Sequence, residues 1–186
     1  ARGVNAGVSS EQFYSDYRAL AETPGMLAED IGDALGTLSA ADDVVEATYE
    51  MPLLAHATLE PMNCIAQIEG DSCTIWSGTQ YQSNDQEVIS RFLGIPQQNV
   101  TIHRPLMGGS FGRRSSKTAD YTVEAVEAAM GESVPVQIIW SREEDIRSGH
   151  YRPLFVHKLR GSVDESGMPE AWHQVAVGQS LMQGTK

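Results

Sequence analysis

The stretch at residues 99–131, "NVTIHRPLMGGSFGRRSSKTADYTVEAVEAAMG", determines how the middle of the chain folds. Its first part, "NVTIHRPL", contains β-branched and other apolar residues and predicts a strand. The glycine-rich segment "GGSFGRR" follows at residues 108–114. Beyond it, apolar residues at positions 119, 123, 126 and 130 recur at helical spacing, and Gly131 ends the predicted helix. The sequence thus predicts a strand, a glycine loop and a helix in succession.

The glycine loop has the composition of an anion-binding segment. Gly108, Gly109 and Gly112 permit positive φ angles and let a ligand approach the backbone closely. A glycine loop between a strand and a helix directs amide N–H groups towards an anion, and Arg113 or Arg114 would add bidentate contacts to a phosphate. The segment matches neither GxxxxGK[ST] nor GxGxxG. Local chemistry therefore leaves open both an anion-binding loop and a structural turn.

Strand and helix signals alternate in the middle of the chain, with hairpins on both sides, which indicates one mixed domain of the α+β or α/β class. We assign it to α+β, with a mixed sheet, hairpins and packed helices. We place an N-terminal helical and connecting segment at residues 1–43 and the domain itself at 44–186. The predicted elements, in chain order, are a helix capped by Ser9 or Ser10 and ended by Pro24-Gly25, a strand and then a helix within 28–41, strands at 44–51, 63–68 and 73–78, a helix capped by Ser83 or Asn84 and ended by Gly94, a buried strand at 135–141, a helix beginning at 141, and two closing strands at 152–163 and 169–182.

The two cysteines lie on the strands of a predicted hairpin. If Gly70-Asp71 is the turn, Cys73 lies opposite Ile68, and Cys64 lies about 13 Å further along the first strand. A disulfide requires Cα atoms within roughly 7 Å of each other. We therefore predict two buried free thiols, and their spacing is unsuited to a metal site.

Charge and composition narrow the classes of partner. The chain has 186 residues and a formal net charge of −12, which argues against nucleic acid or an anionic membrane as a partner. No apolar run approaches the roughly 20 residues of a membrane-spanning helix, and the first residues lack the pattern of a secretory signal. Because the chain opens with "ARGVNAGVSS" and no methionine, we expect a processed protein or a fragment.

Several ordered motifs resemble the xanthine dehydrogenase and aldehyde oxidase family of molybdenum hydroxylases. They run from "AHATLEPMNC" at 55–64, through Thr79-Gln80, "LGIP" at 93–96 and "GGSFG" at 108–112, to the block that begins "PVQIIWSREED" at 135. The resemblance covers residues from about Val44 to Ser180. The "EPMNC" motif and the double arginine are most similar to the isoquinoline 1-oxidoreductase beta-subunit branch. By this resemblance, the chain is similar to an internal fragment of a larger molybdopterin-binding subunit.

The resemblance implies a cofactor and a set of residues that bind it. The cofactor is a molybdenum–pterin, in this branch with a cytosine dinucleotide, and no protein side chain binds the metal. By motif, Gln80 would hydrogen-bond near the metal's oxygen ligands, and the backbone at Phe111 and Gly112 would contact those ligands and the pterin. With the residues of the anion-binding interpretation, the predicted cofactor-binding set is Gln80, Gly108, Gly109, Phe111, Gly112 and Arg113.

The resemblance also implies an activity for the larger protein. Members hydroxylate N-heterocycles or oxidise aldehydes with oxygen from water, and pass electrons through an iron–sulfur subunit to a further acceptor. Many xanthine-oxidising members carry an acid where this chain has Ser115, so Ser115 is our candidate substrate-pocket residue and purine specificity is disfavoured. The catalytic glutamate is expected outside this chain, so the chain alone should be inactive, and the resemblance implies a periplasmic or membrane-associated location.

Two other functions stay open, and several polar residues have plainer interpretations. The chain could be a non-enzymatic anion- or nucleotide-binding module that uses "GGSFGRR", or a structural domain with an incidental glycine turn. We expect Glu60 to bind backbone amides rather than act as an acid, and Arg142 to pair with Asp145 at an exposed helix start.

Overall fold

The computed structural model describes residues 6–180, and the chain divides into two compact units. The first contains the described residues up to Leu54 and from Arg152 onward, and the second is Ala55–Tyr151. The helices and strands are, in chain order, α1 (Ser10–Leu20), α2 (Ala34–Ala40), β1 (Val45–Met51), β2 (Asn63–Glu69), β3 (Ser72–Trp76), α3 (Gln82–Leu93), β4 (Val100–His103), α4 (Asp120–Ala129), β5 (Val136–Ile139), α5 (Arg142–Arg147), β6 (Phe155–Val163) and β7 (Pro169–Gly178).

The first unit is an antiparallel sheet in the order β1-β6-β7 with helices α1 and α2. The predicted closing hairpin is present, and its turn is fixed by the Asp164 carboxylate, which accepts from the amides of Ser166 and Met168. Positions 181–182 of the predicted last strand lie outside the described residues. Because β1 pairs with β6, residues 44–54 belong to the same unit as the C-terminal hairpin. Our prediction instead places a domain boundary after residue 43.

The helices of the first unit begin differently from our prediction. Ser9 occupies the N-cap position of α1, but its side chain makes no capping hydrogen bond. The carboxylate of Asp33 caps α2 by accepting from the amide of Gly36 at 2.9 Å. Residues 28–32 form no strand, so only the helical half of the prediction for 28–41 is confirmed; Gly32, at φ +70°, turns the chain there. In the described part of the chain, no helix is both long and apolar enough to cross a bilayer.

The second unit contains a mixed sheet in the order β4-β3-β2-β5, which confirms the predicted α+β class. Strands β2 and β3 form the predicted hairpin, and Ile68 lies opposite Cys73 as expected. Both cysteines are buried free thiols, and burial raises the pKa of Cys64 to about 12 and that of Cys73 to about 11. Neither thiol is therefore ionised or reactive near neutral pH.

Helix α4 packs on this sheet, but with a face shifted from the predicted stripe. Ala119 and Val126 are buried as predicted, whereas Val123 is half-buried and Met130 is 56% exposed. Small residues at Ala125 and Ala129 provide the close contact with the core instead.

Two further predictions were wrong in detail. Helix α3 begins after Tyr81 rather than at Ser83 or Asn84. Strand β5 is a half-buried edge strand rather than a buried one.

The parallel pairing of β3 with β4 places two chain segments side by side. Trp76 lies opposite His103 at the ends of these strands, and the amide of Ser77 donates to the carbonyl of His103 at 3.1 Å. Because the strands run in the same direction, the segments that follow them, residues 77–81 and 104–114, leave the sheet at the same edge. The candidate site is built from these two segments.

Candidate functional site

Gln80 lies against the glycine loop. Its backbone N–H donates to the carbonyl of Arg114 at 2.9 Å, and its side-chain Oε1 accepts from the hydroxyl of Ser110. The predicted proximity of Gln80 and residues 108–112 is therefore confirmed. The carboxamide Nε2 donates to none of the described residues, and the side chain is exposed, so this donor is available to a ligand.

The loop backbone presents a run of amide groups that the protein itself does not use. Gly109, Phe111 and Gly112 have φ angles of +100°, +54° and +96°. Within residues 6–180, no hydrogen bond uses the N–H of Gly109, Ser110, Phe111 or Gly112. Successive free N–H groups in a turn of this kind are typical of anion-binding concavities. The loop is thus irregular, as predicted, and its free donors suit a negatively charged or oxygen-bearing ligand.

The sequence predicted that a helix begins directly after the loop and adds its first amides to it, but the structure does not show this arrangement. Residues 115–119 separate the loop from α4, which begins at Asp120. Within this connection, the amide of Ser115 donates to Gly112 at 3.1 Å and that of Ala119 to Ser116 at 3.2 Å. The unused amide N–H groups therefore lie in the loop itself, ahead of the connection that leads to the helix.

The side chain of Arg113 points into the core. It is 3% exposed, and its Nη1 and Nη2 donate to the two carboxylate oxygens of Asp120 at 3.1 and 2.7 Å. The guanidinium also lies over the ring of Trp140, 5.3 Å from its centroid. Both terminal nitrogens of the guanidinium are thus already paired with a carboxylate, and its Nε is buried without a partner among the described residues. A phosphate contact from Arg113 stays a prediction and would require this pair to open.

Glu60 holds the start of the loop, as we predicted. Its carboxylate accepts from the amide of Gly108 at 2.5 Å and forms an ion pair with Arg114. Burial alone would raise the pKa of Glu60, but the hydrogen bonds from Asn63 and Gly108 and the charge of Arg114 lower it below the usual value. Glu60 is therefore ionised at neutral pH and fixes the position of Gly108 and Arg114. The predicted pair of Arg142 with Asp145 is also present, at 2.9 Å.

Comparison with known proteins identifies the domain to which this site belongs. The family model of the molybdopterin cofactor-binding domain matches residues 20–179. The chain belongs to this family. The resemblance to the molybdenum hydroxylases, inferred above from a few motifs, is thereby confirmed over most of the chain.

Curated relatives of this molybdopterin cofactor-binding domain are molybdenum-enzyme subunits. The chain is 32% identical over 135 residues to isoquinoline 1-oxidoreductase subunit beta of Brevundimonas diminuta, covering 71% of this chain and 17% of that protein. It is 28% identical over 157 residues to the aldehyde oxidoreductase molybdenum-binding subunit PaoC of Escherichia coli K12, covering 84% and 21%. The chain thus spans about a fifth of the length of these relatives.

Solved structures share the fold of the domain. The aldehyde oxidoreductase of Desulfovibrio gigas superposes with a TM-score of 0.59 at 19% identity, over 79% of this chain and 16% of that chain. Quinoline 2-oxidoreductase from Pseudomonas putida 86 gives a TM-score of 0.57 at 18% identity, over 76% and 18%. These similarities agree with the mixed α+β architecture described above.

Sequence reasoning missed one residue of the domain's site and assigned another a different contact. Ser110, which bonds to Gln80 and to the amide of Arg114, was not singled out, and Arg114 was considered only as a phosphate contact, whereas it binds Glu60. Ser110 is the only hydroxyl within "GGSFGRR", which is the signal that should have singled it out. Ser115, the candidate substrate-pocket residue, is exposed beside the loop, and its role stays a prediction.

A buried carboxyl group lies next to the Gln80 segment. Asp85, in the first turn of α3, is 3% exposed, and its Oδ2 accepts no hydrogen bond from the described residues. Burial raises its pKa to about 6, although hydrogen bonds from Thr79 and Asn84 oppose the increase. The Thr79 hydroxyl also accepts from the amide of Tyr81 at 3.0 Å. The hydrogen bond from Thr79 thus ties Asp85 to the segment that carries Gln80, although burying the Asp85 carboxylate away from water costs free energy.

We expect Asp85→Asn to stabilise the protein above pH 6. The pKa of Asp85 rises from 3.8 to about 6 on folding, so the folded state binds more protons than the unfolded state between these values. Stability contributed by this group therefore falls as pH rises through that window, and removing the charge should add about 1–3 kcal/mol above it. Urea unfolding of both proteins at several pH values measures the difference, which should vanish near pH 4. A variant that is less stable than wild type at pH 8 would contradict the assignment.

Proposed function

We propose that this chain forms part of the molybdenum–pterin site of a molybdenum hydroxylase subunit. The observation that carries the proposal is the run of four unused amide N–H groups at residues 109–112 beside the free carboxamide donor of Gln80. In the described part of the chain, no group of three or more histidine, cysteine, aspartate or glutamate side chains is arranged to hold a metal ion. Such a surface suits a metal complex that presents oxygen and phosphate acceptors, and not a bare cation.

The residues present fit a ligand of that kind. The amides of 109–112 and the Gln80 carboxamide are unused donors, and an added Cβ at Gly112 would meet no atom beyond its own chain neighbours nearer than His56 Nε2, at 4.0 Å. A ligand could therefore approach the backbone on this side of the loop. When bound, the molybdenum–pterin group would supply the two-electron oxidation chemistry. Gln80 and the amides of 109–112 would orient it, and preorganised donors of this type stabilise negative charge that develops during a reaction.

The activity of the whole protein follows as a proposal from the relatives. We infer oxidation of an N-heterocycle or an aldehyde, since the relatives named above are oxidoreductases of isoquinoline and aldehydes. Ser115 in place of an acid disfavours a purine substrate. We also propose that water supplies the oxygen, that an iron–sulfur subunit accepts the electrons, and that the catalytic base and the rest of the cofactor site lie outside this chain.

Two finer points about the whole protein are part of the same proposal. The cofactor is proposed to be the cytosine dinucleotide form, and the location to be periplasmic or membrane-associated through partners. Both come from the resemblance to the isoquinoline branch. Nucleotide analysis after acid release of the cofactor tests the first, and fractionation of the natural host tests the second.

We expect Gln80→Ala to lower turnover in the full-length gene product on the order of a hundredfold, because one preorganised donor is lost. Molybdenum content should change little, since the four loop amides remain. Steady-state dye reduction with an aldehyde or N-heterocycle, alongside metal analysis, measures both quantities. Gln98→Ala is the matched control, because Gln98 is exposed and its side chain makes no hydrogen bond with the described residues. Wild-type turnover by a fully loaded Gln80→Ala protein would remove Gln80 from the site.

A further inference from the structure

We propose that Arg114 is a positioning residue that sets the geometry between Gln80 and the loop backbone at 109–112. This inference rests on the proposed function, because the surface that Arg114 positions is the one assigned there to the cofactor. Arg114 does not itself face a ligand, since its side chain is 0% exposed. Its action is therefore through the segments that it holds.

The guanidinium of Arg114 joins the loop to the segment at Glu60. Its Nε donates to the carbonyl of Gly109 at 3.1 Å, and its Nη2 donates to the carbonyls of Glu60 at 3.0 Å and Pro61 at 3.4 Å. Nη2 also lies 3.3 Å from the carboxylate of Glu60, which in turn accepts from the amide of Gly108. Two successive loop residues, Gly108 and Gly109, are thus fixed by one charged pair.

The backbone of Arg114 joins the loop to the segment at Gln80. Its N–H donates to the hydroxyl of Ser110 at 3.1 Å, and the same hydroxyl donates to the side chain of Gln80. Its carbonyl accepts from the amide of Gln80 at 2.9 Å and lies 3.4 Å from the hydroxyl of Thr79. One residue therefore connects the loop to two segments, at 60–61 and 79–80, that are far from it and from each other in the sequence.

Stability alone gives a weak reason for an arginine at this position. The Nη1 of Arg114 is buried and has no hydrogen-bond partner among the described residues. A buried charge with an incompletely satisfied guanidinium contributes less to stability than a well-packed apolar side chain. The planar fork, in contrast, holds the carbonyls of Gly109 and Glu60 in fixed directions at the same time, which the single ammonium of a lysine cannot do. Geometry therefore explains the residue better than stability does.

The test compares Arg114→Lys with Arg91→Lys in the full-length gene product. Arg91 is the control, because it lies in the same unit and pairs with Glu87 on α3, and it makes no hydrogen bond with the loop or with the segments at Glu60 and Gln80 among the described residues. Hydrogen exchange reports on the amides of Glu60 and Gln80, which are bonded to loop carbonyls, and metal analysis reports on molybdenum loading. In Arg114→Lys we expect exchange at these two amides to rise on the order of tenfold, because charge-assisted hydrogen bonds are lost.

Each outcome bears on the proposal. Faster exchange confined to these segments, with β2 and α4 unchanged and molybdenum reduced, supports it. Faster exchange throughout the unit, or no local change, overturns it. Local loosening with full molybdenum loading supports the positioning role and instead removes the loop from the cofactor contacts proposed above. If Arg114→Lys does not fold, Glu60→Gln serves as the second variant: a smaller change at the same amides supports the proposal, and wild-type exchange overturns it.

Discussion

Gly112→Val is expected to abolish molybdenum loading of the full-length gene product. Gly112 has a φ of +96°, a conformation that is strongly unfavourable for a β-branched residue. Beyond its two chain neighbours, the nearest atom to an added Cβ is 4.0 Å away, so the new side chain occupies the open side of the loop. The unused amides would then be shielded from the ligand. Metal analysis of the purified protein should show molybdenum lowered at least about tenfold, the effect of losing roughly 1.4 kcal/mol of binding.

Gly131→Val separates blocked approach from backbone strain. Gly131 has a similar φ of +85°, and beyond its chain neighbours no described atom lies within 4 Å of an added Cβ there. It follows α4 and does not belong to the loop. This control should lose stability through strain and keep its molybdenum. Unchanged molybdenum loading in Gly112→Val would exclude the loop from the cofactor site. Equal loss of molybdenum in both variants would show that backbone strain, and not blocked approach of the ligand, causes the loss.

Asp120→Asn is expected to lower the free energy of unfolding by about 3 kcal/mol, because it leaves a buried charge without its partner. The Arg113 side chain is 3% exposed and that of Asp120 is 21% exposed, so solvent compensates little for the lost carboxylate. Burial alone would raise the pKa of Asp120, but hydrogen bonding to Arg113 and its charge lower it. The pair thus stabilises the protein at neutral pH, and this contribution is lost as pH falls through the depressed pKa of Asp120.

Urea unfolding at pH 7 measures the loss, with Glu87→Gln as the control. Glu87 also pairs with an arginine, Arg91, but these side chains are 59% and 69% exposed. Exposed pairs contribute about 0–1 kcal/mol, so this variant should resemble wild type. If Asp120→Asn cost no more than Glu87→Gln, the buried pair would have no structural role, and Arg113 would again be free to serve as a ligand.

Local signals predicted the parts of the fold that depend on neighbours in the sequence. The hairpin register of Ile68 and Cys73, the end of α3 at Gly94 and the start of α5 at Ser141 all follow from turn, cap and spacing rules. Gly94 adopts the left-handed conformation, and Ser141 forms a capping box with Glu144. Such features require no knowledge of the distant chain.

The sequence could not distinguish the two adjacent arginines of the loop. Arg113 is directed by Asp120 and Trp140, whereas Arg114 is directed by Glu60, which lies more than fifty residues earlier in the chain. Their different roles depend on tertiary contacts that no local pattern encodes. The position of a strand in the sheet also depends on tertiary contacts. The composition of β5 is that of a buried strand, but only β2 pairs with it among the described strands, so Ile139 is 63% exposed.

The central claim is that the amides of 109–112 and Gln80 belong to a molybdenum–pterin site. Metal and pterin analysis of the wild-type full-length gene product, purified from a host that makes the cofactor and is supplied with molybdate, tests it most directly. Stoichiometric molybdenum with a releasable pterin nucleotide is the predicted result. A folded wild-type protein that carries no molybdenum above background would contradict it.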